Sequence, residues 1–447
     1  MSSPRFPQRW QSRSTFVFAL AAASVGMGSI WRTTYLIGEH GGAPFMLTYV
    51  VALLVLGVPV MVAEVLVGAL GRGSALSSLW RAARGSGRWR SWFLLAPLAA
   101  LCGLILLAAT LLFAALCLRY AFHMQLGSFA AISLAGTREF LDALVAAPGQ
   151  LLPWLLLSAA LLALLAAAGI RRGLGGAMWL LVPLLVVLLV VLVDFAVDHG
   201  DLEAAGRYLF ARQPLDFSAY SILVAVTQAL YTLAVGTAVG FCFGAYAPDR
   251  LPLCRSVLAV ALFDVFATLA AGVAIYALLF AHNLQPAQGP GLLFVAVPYA
   301  FGNTGLGDFF GALFFFAVFA VCLASALALL EPSISVLTQH LHIRRSRAAL
   351  LAAALAALLA LVAGYSLLPG SPVAGLLREA EALAAQVLMP LFALLLAIFV
   401  GWRLPPHALR LQLSREPDFL VVLWYFLLRY AVPPAVLLVW LGILLHP

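Results

Sequence analysis

The sequence predicts an all-α integral membrane protein, an inverted five-plus-five helix repeat with broken helices 1 and 6, plus one extra helix. Three observations carry that expectation. The chain has 447 residues, of which 64% are hydrophobic and 9% charged, and its mean hydropathy is +1.07. A water-soluble domain carries about 25% charged residues, so this chain has too little polar surface for water. Apolar runs of bilayer-spanning length recur eleven times. Two of those runs, the first and the sixth, are interrupted at their centres by glycine and small polar residues.

In order, the runs lie at about 14–37, 43–70, 92–123, 150–169, 175–197, 217–246, 255–281, 308–339, 347–367, 374–401 and 420–445. The whole chain, 1–447, reads as a single transmembrane domain. Spans 1–5 occupy about 14–197, spans 6–10 about 217–401, and span 11 about 420–445. Run 1 carries Ser24-Val25-Gly26-Met27-Gly28-Ser29 at its middle. Glycine at this density weakens a helix, because it gains most freedom on leaving one. Within a bilayer a broken helix survives only where protein or a wet cavity surrounds it. The break therefore predicts a site, with freed carbonyls for a cation and a helix N-terminus for an anion. Close packing through small residues is the plainer alternative. Run 6 is interrupted in the same way at Tyr231-Thr232-Leu233-Ala234-Val235-Gly236-Thr237. Interrupted spans at corresponding places in two halves point to a secondary transporter.

All 25 basic residues are arginine, and their placement sets the orientation. With the N-terminus in the cytoplasm, eighteen fall on inner segments, including Arg5, Arg9, Arg13, Arg72, Arg344, Arg345 and Arg403. Only Arg138, Arg207, Arg212 and Arg378 fall on outer loops. Eleven spans then put the C-terminus outside. The net charge of +8 is thus a topology signal, and no nucleic-acid partner is expected. The outer stretch from Asp194 to Asp216 reads as a solvated acidic loop. The five cysteines lack metal-ligand spacing. No Walker or dinucleotide motif occurs, which speaks against ATP-driven transport by this chain alone. No HExxH occurs either, and enzyme activity is not expected.

Particular stretches resemble the neurotransmitter:sodium symporter family, in its bacterial amino-acid transporter branch. They are Trp10-Gln11-Ser12-Arg13, Val25-Gly26-Met27-Gly28-Ser29-Ile30-Trp31-Arg32, Glu39-His40-Gly41-Gly42-Ala43-Pro44-Phe45, and Gly57-Val58-Pro59. Gly169-Ile170-Arg171-Arg172-Gly173, Gln228 to Thr232, Glu331-Pro332, Pro390 to Trp402, and Leu428-Arg429-Tyr430 before Pro433 extend the likeness along the chain.

The resemblance implies a substrate site among spans 1, 3, 6 and 8, at Ala23, Val25, Gly26, Gly28, Thr110, Tyr231, Thr232, Ala234, Thr237, Ser325, Ala326 and Leu329. Tyr231 matches an aromatic lid. Thr110 stands where family members usually carry a tyrosine. Oxygen ligands for sodium are implied at Ser24, Ser29, Thr232 and Asp264, and at Ala22, Val25, Val321 and Ser325. Asp264 replaces a neutral amide, and Ala324 replaces a residue that usually supplies an oxygen. A chloride-like site is implied at Tyr49, Gln228, Thr232 and Thr268. With Asp264 one turn away to supply negative charge, chloride is not expected to be required. Glu64 matches a carboxylate that braces broken backbone. Arg32 and Glu381 imply an outer gate. At the inner gate Gln339 replaces the usual aspartate, leaving Tyr246 and Glu331, with Arg5 or Arg9 as the partner of Glu331.

The implied function is sodium-coupled import of an amino acid or related amine by alternating access. The expected setting is a bacterial inner membrane, the protein being a monomer or homodimer. A proton-coupled transporter using Asp264, and a transporter-like receptor that does not transport, remain alternatives.

Overall fold

A computed structural model describes residues 9–26, 28–84, 92–211, 216–249, 251–286 and 291–445. Among them, nine helices are long and apolar enough to cross a membrane: Ala43–Gly71, Leu95–Gln125, Pro148–Ala167, Ile170–His199, Leu253–Ala281, Gly307–His340, Arg345–Tyr365, Leu376–Arg403 and Asp418–Gly442. They are spans 2 to 5 and 7 to 11. Span 1 is a bent pair, Arg13–Ser24 and Gly28–Glu39, whose halves diverge by 62°. Span 6 is likewise divided, into Ala219–Thr232 and Val239–Ala245. Nine continuous and two broken spans make up the eleven expected from the sequence.

The broken pieces begin and end for local reasons. Ser12 caps the first half of span 1, its side chain accepting from the Thr15 N–H. Ser218 and Ser221 form a reciprocal cap at the start of span 6. The first half of span 6 stops where the backbone turns left-handed, at Ala234 (φ 52°), Gly236 (φ 75°) and Ala238 (φ 66°). For the two alanines that conformation is strained. Strain of this kind persists only where surrounding structure enforces it.

Span 2 enforces it by packing directly on the second half of span 6. A Cβ added to Gly68 would lie 2.1 Å from the Phe241 carbonyl oxygen, and one added to Gly244 would lie 2.0 Å from that of Val65. Backbones meet there, so only glycine fits.

The acidic outer stretch is not a plain solvated loop. Asp201 caps a helix, Leu202–Phe210, by accepting from the Ala204 N–H. Ala205 and Leu209 on that helix are buried. Tyr208 lies so close to Gly38 that a Cβ there would meet its ring at 1.9 Å. Acid residues mark the exposed face of this helix. Its apolar positions, too few to signal a span, dock it on spans 1 and 7.

A substitution tests the contact between spans 2 and 6. Gly244→Val should lower the melting midpoint of the purified protein, with overpacking costing about 1–3 kcal/mol. A midpoint equal to wild type in a fluorescence-detected thermal scan would show that the backbones do not meet there.

Candidate functional site

The break in span 1 leaves the helical ladder at one place. Among the described residues, its last regular bond runs from Val25 N–H to Ala21 at 2.8 Å. The ladder resumes with Ser29 N–H to Gly26 at 3.1 Å. The break in span 6 is held from span 2 by Glu64, which is fully buried. Its two carboxylate oxygens accept from the N–H groups of Gly236 at 3.0 Å and Gly240 at 3.2 Å. The carboxylate thus satisfies donors that the unwound turn exposes, which matters in a medium without water.

Between the two breaks lies a cavity of about 50 Å³. Ala23, Ser24, Gly26, Gly28, Ser29, Thr110, Tyr231, Thr232, Ala234, Ser325, Leu329 and Glu381 line it, all positions singled out from the sequence. Leu106 and Ala109 line it too, and sequence reasoning missed them. They lie one turn or less before Thr110 on the same helix, so helical periodicity was the signal available. Val25, Thr237 and Ala326 do not line it, contrary to expectation. The Thr237 hydroxyl turns back to the Ala234 carbonyl at 2.7 Å, and Val25 and Ala326 are packed away in the core. Gly26 borders the cavity, where a Cβ would make ordinary contact with Ser325 Oγ at 3.6 Å and the Ser24 carbonyl oxygen at 3.9 Å. Gly28 lies against Tyr231, whose ring would be 2.7 Å from an added Cβ.

Oxygens gather beside this cavity. Asp264 is fully buried. Ser29 Oγ donates to it at 3.0 Å and Tyr49 Oη reaches it at 3.5 Å. Ser29 Oγ also lies 3.3 Å from the Ser24 carbonyl, and Tyr49 Oη lies 3.0 Å from Thr232 Oγ1. Spans 1 and 2 therefore meet the span 7 carboxylate directly, and span 6 joins through the Tyr49 hydroxyl. No arginine pairs with that carboxylate among the described residues. Of the second set of cation ligands, Ser325 stands across from the break, while Ala22, Val25 and Val321 are buried around it. Ala324 offers no side-chain oxygen.

The chloride-like quartet is not assembled as the resemblance implies. Tyr49 and Thr232 meet, but the Gln228 amide donates to Thr33 Oγ1 at 2.8 Å instead. Thr268 Oγ1 is buried and meets no partner among the described residues.

The residues expected at the two gates are arranged differently. Arg32 and Glu381 form no ion pair. The Arg32 guanidinium lies over the Tyr231 ring, 5.1 Å from its centroid, and Glu381 is on the cavity wall. At the opposite end, Glu331 is fully buried and takes both arms of the Arg345 guanidinium at 2.8 Å. Tyr246 Oη donates to the same carboxylate at 2.8 Å. Arg9 is therefore not the partner of Glu331, a correction to the sequence expectation. Arg9 pairs with Asp249, which Arg72 also meets at 2.9 Å. Arg5 lies outside the described residues. The physical reason is reach: Arg345 opens the helix that follows the chain reversal after span 8, which returns it to Glu331. Gln339, in place of the usual aspartate, accepts from Ser74 N–H at 2.7 Å and Ser77 Oγ at 3.1 Å.

An all-helical membrane protein with two helices broken around one polar cavity has the architecture of a secondary transporter. Residues 7–94 and 137–445 match the sodium:neurotransmitter symporter family, and the chain belongs to that family. It is a sodium-coupled symporter by class. The unmatched interval, 95–136, holds all of span 3, where Thr110 departs from the family pattern. An uncharacterized sodium-dependent transporter of Bacillus subtilis, YhdH, is 27% identical over 449 residues, covering 99% of each chain. Another, from Methanocaldococcus jannaschii, is 27% identical over 96% of this chain and 89% of its own length. The crystal structure of MhsT in complex with L-phenylalanine superposes with a TM-score of 0.88 at 28% identity, covering 97% of this chain and 99% of that one.

The Glu331–Arg345 pair gives a stability test. Glu331→Gln leaves a partly buried guanidinium without its counter-charge and should cost about 3–5 kcal/mol. Thermal unfolding in detergent checks this, and a midpoint within a degree of wild type would mean that the pair contributes nothing.

Proposed function

We propose that this chain imports an amino acid or a closely related amine across a bacterial inner membrane, coupled to sodium, by alternating access. One observation carries the proposal: the cavity lies between the broken turns of spans 1 and 6, and Gly26 and Gly28 both line it. A carboxylate bound there approaches backbone N–H groups and a positive helix end. The amino group lies toward Ala23 and the Tyr231–Ala234 turn. Leu106, Ala109 and Leu329 provide the apolar part of the pocket. The relative crystallised with L-phenylalanine supports an amino acid as the substrate class. Thr110 is smaller than tyrosine, which leaves span 3 more room for the substrate.

Sodium at the first ion site would be held by Ser29, Thr232, Asp264 and the Ser24 carbonyl. These are hard oxygen ligands, and the carboxylate supplies a full negative charge beside the cation. In that arrangement Asp264 does electrostatically what a bound chloride does elsewhere. Chloride is therefore not required. The second ion site would use Ala22, Val25 and Val321 carbonyls with Ser325. The N-terminus lies in the cytoplasm and the C-terminus outside, as the arginine distribution directs. Tyr231 closes the cavity toward the Arg32 and Glu381 side. The opposite exit is shut by the Glu331, Tyr246 and Arg345 cluster and by Arg9 with Asp249. Import requires those polar contacts to open, and the exposed Arg9–Asp249 pair is the weaker of the two.

Gly26→Leu should abolish binding of L-phenylalanine and other amino acids in a scintillation-proximity panel, with a monodisperse protein retained. Binding at wild-type affinity would remove the substrate from this cavity.

Asp264→Asn tests the ion coupling. Wild-type uptake into proteoliposomes should need sodium and be equal in chloride and gluconate media. The variant should become faster in chloride than in gluconate by several-fold. Variant uptake identical to wild type in both media would make Asp264 structural only. Uptake by the wild type that follows a proton gradient without sodium would favour Asp264 as a proton carrier.

A further inference from the structure

Spans 10 and 11 enclose a cation away from the cavity between the two breaks. Arg429 sits within span 11, Asp418–Gly442. A charged side chain at such a position is costly, and it persists where it has a partner or a task. No ion pair to Arg429 occurs among the described residues. Its guanidinium carbon is instead surrounded by three rings: Trp402 at 5.2 Å, Tyr425 at 5.9 Å and Tyr430 at 5.5 Å, measured to their centroids. Ring faces stabilise the positive charge. They do not accept the in-plane N–H bonds of a guanidinium, which point at its edge. There, among the described residues, only Nη1 finds an acceptor, Tyr425 Oη at a long 3.5 Å, and Nε is buried with none.

The backbone is arranged for this side chain. Arg429 lies in a one-turn π-helix, Leu427–Ala431. Trp402 lies in another, Phe399–Arg403, on the adjoining span. Single π-turns inside helices often mark functional places. Gly401 packs against the Arg429 stem, which would stand at ordinary contact, 3.5 Å, from an added Cβ. Tyr425 is oriented by donating to the Gly401 carbonyl at 2.7 Å. The cage therefore spans two helices and is held by its own hydrogen bond.

Its rim opens outward. Trp402 is 41% exposed, Phe426 54% and Tyr430 55%, which on a membrane protein means contact with lipid. Arg403 ends span 10 beside Trp402, exposed and without an ion pair among the described residues. That end of span 10 is the one the arginine distribution assigns to the cytoplasm.

We propose that Arg429, in its cage of Trp402, Tyr425 and Tyr430, binds the phosphate of an anionic glycerophospholipid of the inner leaflet. A phosphate offers the paired oxygens that a guanidinium edge needs. The acyl chains lie along Phe426 and the neighbouring apolar surface. An anionic headgroup suits the site better than a zwitterionic one. Arg403 adds a second positive charge at the rim, and among the described residues no carboxylate pairs with either arginine, so an ammonium would go unmatched.

The full-length protein, purified in detergent, is tested with added dioleoyl phosphatidylglycerol, dioleoyl phosphatidylcholine or inorganic phosphate. Native mass spectrometry reads retained lipid, and a thermal scan reads stabilisation. Wild type should retain phosphatidylglycerol over phosphatidylcholine by about tenfold, the lower end of what one hydrogen bond to a charged group supplies. Arg429→Gln should bring the ratio close to one. Arg429→Lys, which keeps the charge and removes the planar fork, should lose most of the preference and carries the test if the glutamine variant does not fold. An unchanged preference in either variant overturns the proposal. Stabilisation by inorganic phosphate without any by phosphatidylglycerol also overturns it, since the site would then serve a soluble anion.

Discussion

Unsatisfied backbone is what this structure has to solve. In a bilayer each exposed N–H or carbonyl costs several kcal/mol, yet spans 1 and 6 are both broken. The breaks are tolerable because surrounding protein supplies the missing partners. Glu64 does this most directly, giving both oxygens to the Gly236 and Gly240 N–H groups. Reaching them requires span 2 to approach the second half of span 6 at backbone contact, which Gly68 and Gly244 allow. One carboxylate, two glycine contacts and a left-handed turn therefore stand or fall together.

The same constraint explains how charge is distributed. Each fully buried carboxylate in the membrane region has assigned neighbours. Glu64 meets backbone donors, Glu331 meets Arg345 and Tyr246, and Asp264 meets Ser29 and Tyr49. Of these, Asp264 alone has neither a guanidinium nor paired backbone N–H groups, only hydroxyls. Hydroxyls can also turn their lone pairs to a cation, which an arginine cannot. The oxygens around Asp264 are thus left free to meet a cation, whereas those of Glu331 are taken by a guanidinium. The exposed Arg9–Asp249–Arg72 group has the opposite character. Solvent screens it, so it can be broken and remade at low cost.

Span 3 lies outside the two stretches that match the family pattern. The family match skips 95–136, and the cavity wall there is Leu106, Ala109 and Thr110. The floor of the site is made of backbone and is shared by the architecture. The wall is made of side chains and is where substrate choice is free to vary. Variation on that helix leaves the broken turns undisturbed.

Composition and run length alone determined that the chain is helical and spans a membrane, because hydrocarbon admits few other structures. They also located both breaks, since glycine density and small polar residues within an apolar run have a direct local cost. Most of the cavity lining was legible once those breaks were placed. Partner choice was not. That Arg345 rather than Arg9 meets Glu331, that Gln228 turns to Thr33, and that Thr237 turns to Ala234 all depend on helix rotation and on the path of the connections. The acidic stretch after Asp194 hid a docked helix for a related reason. Two buried residues, Ala205 and Leu209, are too few to stand out in sequence. Periodicity records which face of a helix is apolar, whereas tertiary packing decides which atom on that face meets which neighbour.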